Sequence, residues 1–352
     1  MIHASRPRGQ VQLGSRLIGD GQPVFVIAEI GYNFNTLEEA KASIDAAIAC
    51  GADAVKFQTF KAETITSAFA AFPPEAGGTN QFAEFKRYEL SEEAHRTLFD
   101  YARTKGMPAF STPSYFDDVD LLERLDVPAY KIGSDDLTNG PFITYVAKQG
   151  KPVIFSTGMG SLEEAREALE AIHATGNRQA IALHCVSNYP IQDPRVVNLN
   201  AIPTLRKTLG IPVGLSDHTL TLTAALGAVA LGACVIERHF TLSKTLPVPD
   251  AFFSADPDEM GALVTAVREL EQMLGSGVKQ PAPTEDAMRQ HTRKSAIART
   301  EIRQGELITP EQVIVKRPAT GVAPKDAHKL VGRRAKRTIR QDEPITWEKL
   351  VE

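Results

Sequence analysis

The sequence predicts an α/β protein, a (β/α)8 TIM barrel followed by a small β-rich domain, and three observations carry that prediction. Eight apolar runs rich in β-branched residues alternate with stretches of helical period. Polar residues gather at the last positions of those runs, where this fold keeps its active sites. The C-terminal part of the chain repeats itself.

After a β-like lead-in, VQLGSRLIGDGQP, the runs are VFVIAEIG, AVKFQTF, MPAFSTP, AYKIGS, PVIFSTG, AIALHCV, PVGLSDH and VIERHF. Between them, segments such as LEEAKASIDAAIAC, SEEAHRTLFDYARTKG, DDVDLLERLD and LEEAREALEAIHATG space apolar residues by three and four, the period of a helix with one buried face. Eight such units fit a closed barrel better than an open doubly wound sheet. No GxGxxG follows the first run, which counts against a dinucleotide fold. Residues 61–90 are long for a strand-to-helix connection and hold several Phe among polar residues. They read either as a lid over the barrel mouth or as a surface loop packed on its own aromatics.

The barrel spans residues 1–275, a Gly- and Pro-containing linker 276–285, and the small domain 286–352. In that domain ARTEIRQGELITPEQV returns as AKRTIRQDEPITWEKL, pairing Ile302 with Ile339, Glu306 with Glu343 and Ile308 with Ile345 without a gap. A duplication of this length implies a compact pseudo-twofold module with a thin core, which gains by packing on something larger.

Composition excludes several classes. A net charge of −4 on 352 residues leaves no electrostatic footprint for nucleic acid or a membrane surface. The start, MIHASRPRGQ, has no apolar run for a leader, and no later run is long enough to span a bilayer, so a soluble cytoplasmic protein is expected. Cys50, Cys185 and Cys234 are odd in number and set in apolar surroundings, which reads as buried thiols.

Every strand end is polar. Glu29 closes the first run, Lys56 and Gln58 the second, Ser111 and Thr112 the third, Lys131 and Ser134 the fourth and Ser156 the fifth. His184 lies in the sixth, with Ser187 and Tyr189 beyond it; Ser216, Asp217 and His218 close the seventh, and Glu237 and His239 the eighth. Two imidazoles at the mouths of neighbouring strands, flanked by carboxylates, are a set that holds a divalent metal with positions left free for substrate. Each His alone also reads as a polar group satisfying a strand end. A buried unpaired lysine costs several kcal/mol, so Lys56 and Lys131 should each face an anion, either a structural partner or a ligand. With the hydroxyls of Thr112, Ser134, Ser156 and Ser216 they describe a pocket for a phosphate, or a phosphate plus a carboxylate.

AEIGYN, VKFQTF, STP, YKIGS, STGM, HCVSNYP, GLSDHT, ERHFTL and the late VKRP resemble, in order and spacing, the sialic acid synthase family, from about Val11 onward. The resemblance implies a barrel followed by an antifreeze-like (SAF) domain, working as a domain-swapped homodimer. It implies condensation of phosphoenolpyruvate with N-acetylmannosamine or a related N-acetylated hexosamine, giving a nine-carbon sialic-type acid and phosphate. Mn²⁺ is the metal it implies, with Mg²⁺ or Co²⁺ as substitutes. On this resemblance His218 and His239 are the metal ligands. Lys56, Thr112, Lys131, Ser134, Ser156, Ser187 and Ser216 line the phosphoenolpyruvate site. Gln58, Tyr189, Glu237 and Asp250 hold the sugar, and Arg317 reaches its acetamido group from the partner chain. Glu29 is the carboxylate best placed to activate water or steady a developing cation, and Asp217 is the alternative.

The chain departs from the family pattern at Phe34, where a His is usual, at Ala251, Phe252 and Phe253 after the PVPD segment, and at Ala319 in KRPA. Lost polar groups near the sugar point to a less hydroxylated acceptor, as in the legionaminic or pseudaminic acid branches. Two other readings stand beside the synthase. One is an aldolase forming an imine at Lys56 or Lys131. The other is a non-catalytic carbohydrate-binding protein.

Overall fold

The computed structural model describes residues 9–72 and 78–351. The opening residues read above for a leader, residues 73–77 of the 61–90 insert and the final Glu352 lie outside the described residues. The chain divides into two compact units, Met1–Gly275 and Ser276–Glu352.

The first unit begins with an antiparallel hairpin, β1 (Val11–Leu13) and β2 (Arg16–Ile18), whose Val11, Leu13 and Ile18 join the barrel's apolar core. Eight parallel strands follow: β3 (Phe25–Gly31), β4 (Ala54–Thr59), β5 (Ala109–Pro113), β6 (Tyr130–Ile132), β7 (Val153–Ser156), β8 (Ala180–Cys185), β9 (Val213–Asp217) and β10 (Val235–His239). Each pairs with the next, and β10 returns to β3, closing the barrel. The strands are buried on both faces, inward by the barrel's filling and outward by the helices, which is why they read as near-continuous apolar runs.

Local chemistry sets where the helices start. Ser161 with Glu164 and Asp256 with Glu259 form reciprocal capping boxes at the helices Leu162–Ala174 and Pro257–Leu274, satisfying backbone N–H groups that the first turn leaves free. Helices Gly140–Ala147 and Ala201–Leu209 fill the outer layer between β6 and β7 and between β8 and β9. The first, GPFITYVA, is apolar on nearly all sides; the second carries Pro203 inside its first turn, where a missing N–H costs nothing.

The described part of the 61–90 insert forms short helices at Ala62–Ile65 and Gln81–Tyr88. Within it Phe72 packs against Phe85, and Phe85 also meets Phe60 just before the insert. They also build a small core with Val248 and Ala251, so the insert props the loop after β10 that carries Asp250. Phe69 stands almost wholly exposed.

The second unit shows the duplication directly. Ile302 and its repeat counterpart Ile339 bond each other, N–H to carbonyl both ways at 2.9 and 2.8 Å, as residues on a twofold axis must. The Ala298 N–H donates to the Glu343 carbonyl and the Ala335 N–H to the Glu306 carbonyl, both at 2.9 Å, so the two repeats exchange equivalent bonds. Gly305 and Asp342, equivalent positions, both hold positive φ. β11 (Ser295–Ala298) pairs antiparallel with β12 (Val313–Lys316), and the core is small, built on Ile302, Ile308, Leu330, Ile339 and Ile345. The chain's one Trp, Trp347, belongs to this unit and is about half exposed.

Candidate active site

Strand alternation decides which side chains enter the barrel. In β10, Glu237 and His239 share one face and Arg238 takes the other; in β9, Ser216 faces in and Asp217 out. Register then sets neighbours: Ser216 lies opposite Glu237 and Glu29 opposite Lys56, while His239 lies opposite Glu29 on the other side. A register shift between Glu29 and Gly31 interrupts the β3–β4 pairing, which resumes with Gly31 opposite Phe57. Gly31 is required there, since its φ is +57° and a Cβ would stand 3.2 Å from both the Gln58 amide nitrogen and the Glu29 carboxylate.

Two lysines and two glutamates fill the inner layer. Lys56 Nζ is 2.6 Å from Glu29 Oε2 and donates to Thr112 Oγ1 at 3.0 Å. Lys131 Nζ donates to Ser156 Oγ at 2.6 Å and lies 3.8 Å from Glu237 Oε1. Gln58 donates to Glu29 at 3.0 Å and Ser216 to Glu237 at 3.0 Å. Each lysine therefore meets the anion or polar partner that its burial demands. Burial raises the Glu29 carboxyl, Lys56 offsetting only part and the charge of Glu237 adding to it. For Glu237 burial acts the same way, but Lys131 and Lys56 outweigh it and hold its carboxyl below the ordinary value. Burial lowers Lys131, against the pull of Glu237.

The two histidines sit above this layer with ring centroids 5.3 Å apart. His218 Nδ1 pairs with the Val186 carbonyl at 2.8 Å, which places the proton on Nδ1 and leaves Nε2 as the lone-pair donor. His239 Nδ1 is buried without a hydrogen-bond partner and stands 3.5 Å from Asp250 Oδ2. Burial, then the positive neighbours His218, Lys56, Lys131 and Arg238, push His239 well below its ordinary pKa and keep it neutral. Asp250 goes up to about 7, chiefly by burial and next by the charge of Glu29. Tyr189 lies over His218 at 4.2 Å, and Phe253 stands 5.1 Å from His239 and 5.7 Å from Tyr189.

The structure thus brings together Glu29, Lys56, Gln58, Thr112, Lys131, Ser156, Ser216, Glu237, His218, His239, Tyr189 and Asp250. Ser134 and Ser187 join them through Gly158, whose missing Cβ would lie 2.7 and 2.3 Å from their hydroxyls. Asp217 is not among them. Its carboxylate accepts from Arg238 at 2.9 Å on the opposite face of the sheet, both side chains being buried, so it serves the scaffold in place of the alternative catalytic role. Asp217→Ala is expected to cost about 3–5 kcal/mol of stability in denaturant unfolding, by stranding the Arg238 charge. A variant replacing both residues by apolar ones should recover most of that. Arg317 follows β12 in the second unit and is exposed.

Cys185 is the site neighbour that residue-type reasoning missed. Its sulfur would be 3.1 Å from a Cβ on Gly158. Burial would raise its thiol, but His218, Ser134 and Lys131 outweigh burial and lower it. Its register partner, Ser216, was the available signal. The departures separate as well. Phe34 packs edge-on to Phe57 in the layer between strands and helices, away from the pocket, and Ala251 is sealed in the small core. Phe252 is exposed, and Phe253 alone lines the site.

Residues 43–279 match the NeuB family and residues 293–351 the SAF domain. The N,N'-diacetyllegionaminic acid synthase of Legionella pneumophila is 41% identical over 344 residues, covering 94% of this chain and 95% of its own. The human N-acetylneuraminate-9-phosphate synthase is 37% identical over 342 residues, covering 95% and 94%. Among solved structures, the N-acetylneuraminic acid synthetase of Leptospira borgpetersenii, in complex with citrate, superposes with a TM-score of 0.74 at 32% identity, over 81% of this chain and 96% of that one.

Proposed function

The chain belongs to the NeuB family, and on that premise we propose that it condenses phosphoenolpyruvate with an N-acetylated hexosamine and water to give a nine-carbon sialic-type acid and phosphate. The observation that carries the reading is the inner layer of Lys56 and Lys131 with the hydroxyls of Thr112 and Ser156, directly beneath the paired histidines. Lysines and hydroxyls suit an anion with phosphate and carboxylate ends, and the histidines suit a divalent ion.

The donor set fits such an ion. His218 uses Nδ1 on a backbone carbonyl, leaving Nε2 as the lone-pair donor with the Cys185 thiol beside the ring, and His239 has a buried nitrogen without a partner. His218 and His239 would hold it, and when bound it would polarise the sugar's aldehyde oxygen as a Lewis acid. The remaining chemistry falls to the chain's own side chains. Lys56, Thr112, Lys131, Ser134, Ser156, Ser187 and Ser216 hold phosphoenolpyruvate with its methylene carbon toward the aldehyde. Gln58, Tyr189, Glu237 and Asp250 orient the sugar, and Asp250, with its pKa of about 7, carries the proton that the new hydroxyl takes up. The carbon–carbon bond forms between the methylene and the aldehyde carbon, leaving a cationic centre at the carbon bearing the phosphate ester. Glu29 steadies that charge and takes the proton of the water that adds there, after which the C–O bond breaks and phosphate leaves.

Two observations favour a 2,4-diacetamido-trideoxy hexose over N-acetylmannosamine as acceptor. Phe253 lines the site, and the Legionella and Campylobacter jejuni relatives at 41% and 38% identity are named N,N'-diacetyllegionaminic acid synthases. Product mass from a panel of both sugars with phosphoenolpyruvate tests this, the deoxy sugar being expected to give the higher kcat/KM. A strong preference for N-acetylmannosamine would overturn that choice. Borohydride with pyruvate is expected to leave the lysines unmodified, whereas an imine-forming aldolase would be trapped.

Arg317 completes the proposed sugar site from a second copy. An apolar rim on the loops around the barrel mouth, including Phe69, Tyr115, Leu220 and Phe252, supports a covering surface there. Arg317→Ala should raise KM for the amino sugar by about 10- to 100-fold and leave KM for phosphoenolpyruvate within about twofold. Co-refolding Arg317→Ala with His239→Ala should restore activity, since a swapped dimer then unites one intact barrel with one intact arm. No recovery would mean that the arm serves its own barrel.

A further inference from the structure

Four aromatic rings close on one another around the position between the two histidines. Going round, His218 to His239 is 5.3 Å, His239 to Phe253 is 5.1 Å, Phe253 to Tyr189 is 5.7 Å and Tyr189 to His218 is 4.2 Å. Two members offer ring nitrogens and Tyr189 offers a hydroxyl. Phe253 offers no lone pair at all, and it is only 4% exposed.

The local chain fixes Phe253 in this place. The Ser254 N–H and hydroxyl both bond the Asp250 carbonyl, at 3.1 and 2.7 Å, curling residues 250–254 into a tight turn. Asn33, itself buried, donates to Ser254 Oγ at 2.9 Å and to the Phe240 carbonyl at 3.2 Å, pinning the turn to β3 and the end of β10. One turn therefore presents Asp250 and Phe253 together, a carboxylate and an apolar ring, to His239. Glu237 shares the inward face of β10 with His239 and Glu29 lies opposite His239 in register, while Phe253 sets a buried, apolar ring against the same imidazole.

We propose that Phe253 is a positioning residue for the metal site, a dry wall that keeps water off one side of an ion held by His218 and His239. Its open positions are then left only where the two substrates meet. The inference rests on the reading of those histidines as metal ligands. An ion with two protein ligands has several positions to fill, and an apolar shell is how a protein restricts which of them solvent takes. Restricting them directs the sugar's oxygens to the substrate side, where Glu29 and Lys56 wait.

Mn²⁺ alone is the probe, through the enhancement of water-proton relaxation that each bound ion produces in the full-length protein. That signal grows with the number of positions open to exchanging water. Phe253→Asn and Phe253→Leu remove the ring with side chains of like branching and heavy-atom number but opposite polarity, which keeps the comparison interpretable if the larger cavity of Phe253→Ala prevents folding. Opening one further position is expected to raise the enhancement per bound ion by about 1.3- to 1.5-fold in Phe253→Asn and Phe253→Ala, with Phe253→Leu unchanged. Met273→Ala, exposed on the helix Pro257–Leu274, should match the parent protein. Equal enhancement in the parent, Asn and Ala proteins, all with Mn²⁺ bound, would overturn the role of Phe253 while leaving the metal site intact. Absence of Mn²⁺ binding in the parent protein would instead remove the metal reading, and the wall with it.

Discussion

Exhaustive chelation is expected to abolish turnover, and Mn²⁺ added back to restore it. His218→Ala and His239→Ala should each lower kcat by about a thousandfold or more, since polarising the aldehyde supplies several kcal/mol of the barrier. The loss should appear in kcat far more than in phosphoenolpyruvate binding, because on the proposed reading Lys56 and Lys131, not the histidines, would hold that substrate. Two imidazoles make an incomplete cage, so the ion should exchange readily. Affinity should also depend on pH. His239 is held neutral by burial and its positive neighbours, so it does not compete with protons near neutrality. For His218 burial lowers the pKa, but Cys185, the Val186 carbonyl and Glu237 outweigh it and raise it. Mn²⁺ binding should therefore weaken as pH falls through the raised pKa of His218. Full activity of the metal-free protein would sink this account.

Glu29→Gln is the second large effect, a fall in kcat of about 10²- to 10⁴-fold with folding preserved. The glutamine keeps the volume and one acceptor for Lys56 but removes its charge partner, so a loss of stability should accompany the fall in kcat and be read separately in denaturant unfolding. The sign of the pH effect follows from the raised pKa of Glu29: its basic form is absent below that pKa and present above it. The parent protein should gain rate as pH rises through this limb, and the variant's limb should flatten. A variant that keeps the limb would assign it to another group; Asp250, as the proposed proton donor, should instead cost rate as pH rises through about 7.

Much of this site was legible because a polar side chain at the end of an apolar strand is too costly to be idle. Glu29, Lys56, Lys131, Glu237, His218 and His239 all stood out that way, and the closed barrel places them in one layer and the next. Asp217 was misassigned because residue type was read without alternation: lying between Ser216 and His218, it points to the opposite face, as Arg238 does between Glu237 and His239. Cys185 was hidden for the opposite reason, since a thiol in an apolar run is ordinary by type. The 61–90 insert offered a lid or a self-packed loop, and the described residues add a third task, propping the Asp250 turn, that depends on contacts distant in sequence. Phe253 could not be oriented from PVPDAFFS, because the turn that aims it is made by Ser254 and Asn33, more than two hundred residues apart. The repeat, by contrast, was plain from identical residues returning at a fixed spacing, and one such pair, Ile302 and Ile339, meets on the axis.

The single Trp gives the molecule a built-in optical label. Trp347 sits in the small C-terminal unit, whereas the barrel carries only Phe and Tyr among its aromatics. Excitation at the red edge of indole absorption therefore reports on one unit alone, while far-ultraviolet dichroism is dominated by the helices of the other. One denaturant titration read at both wavelengths can resolve whether the thin-cored unit lets go first, and adding a sugar that binds across copies should draw the two curves together.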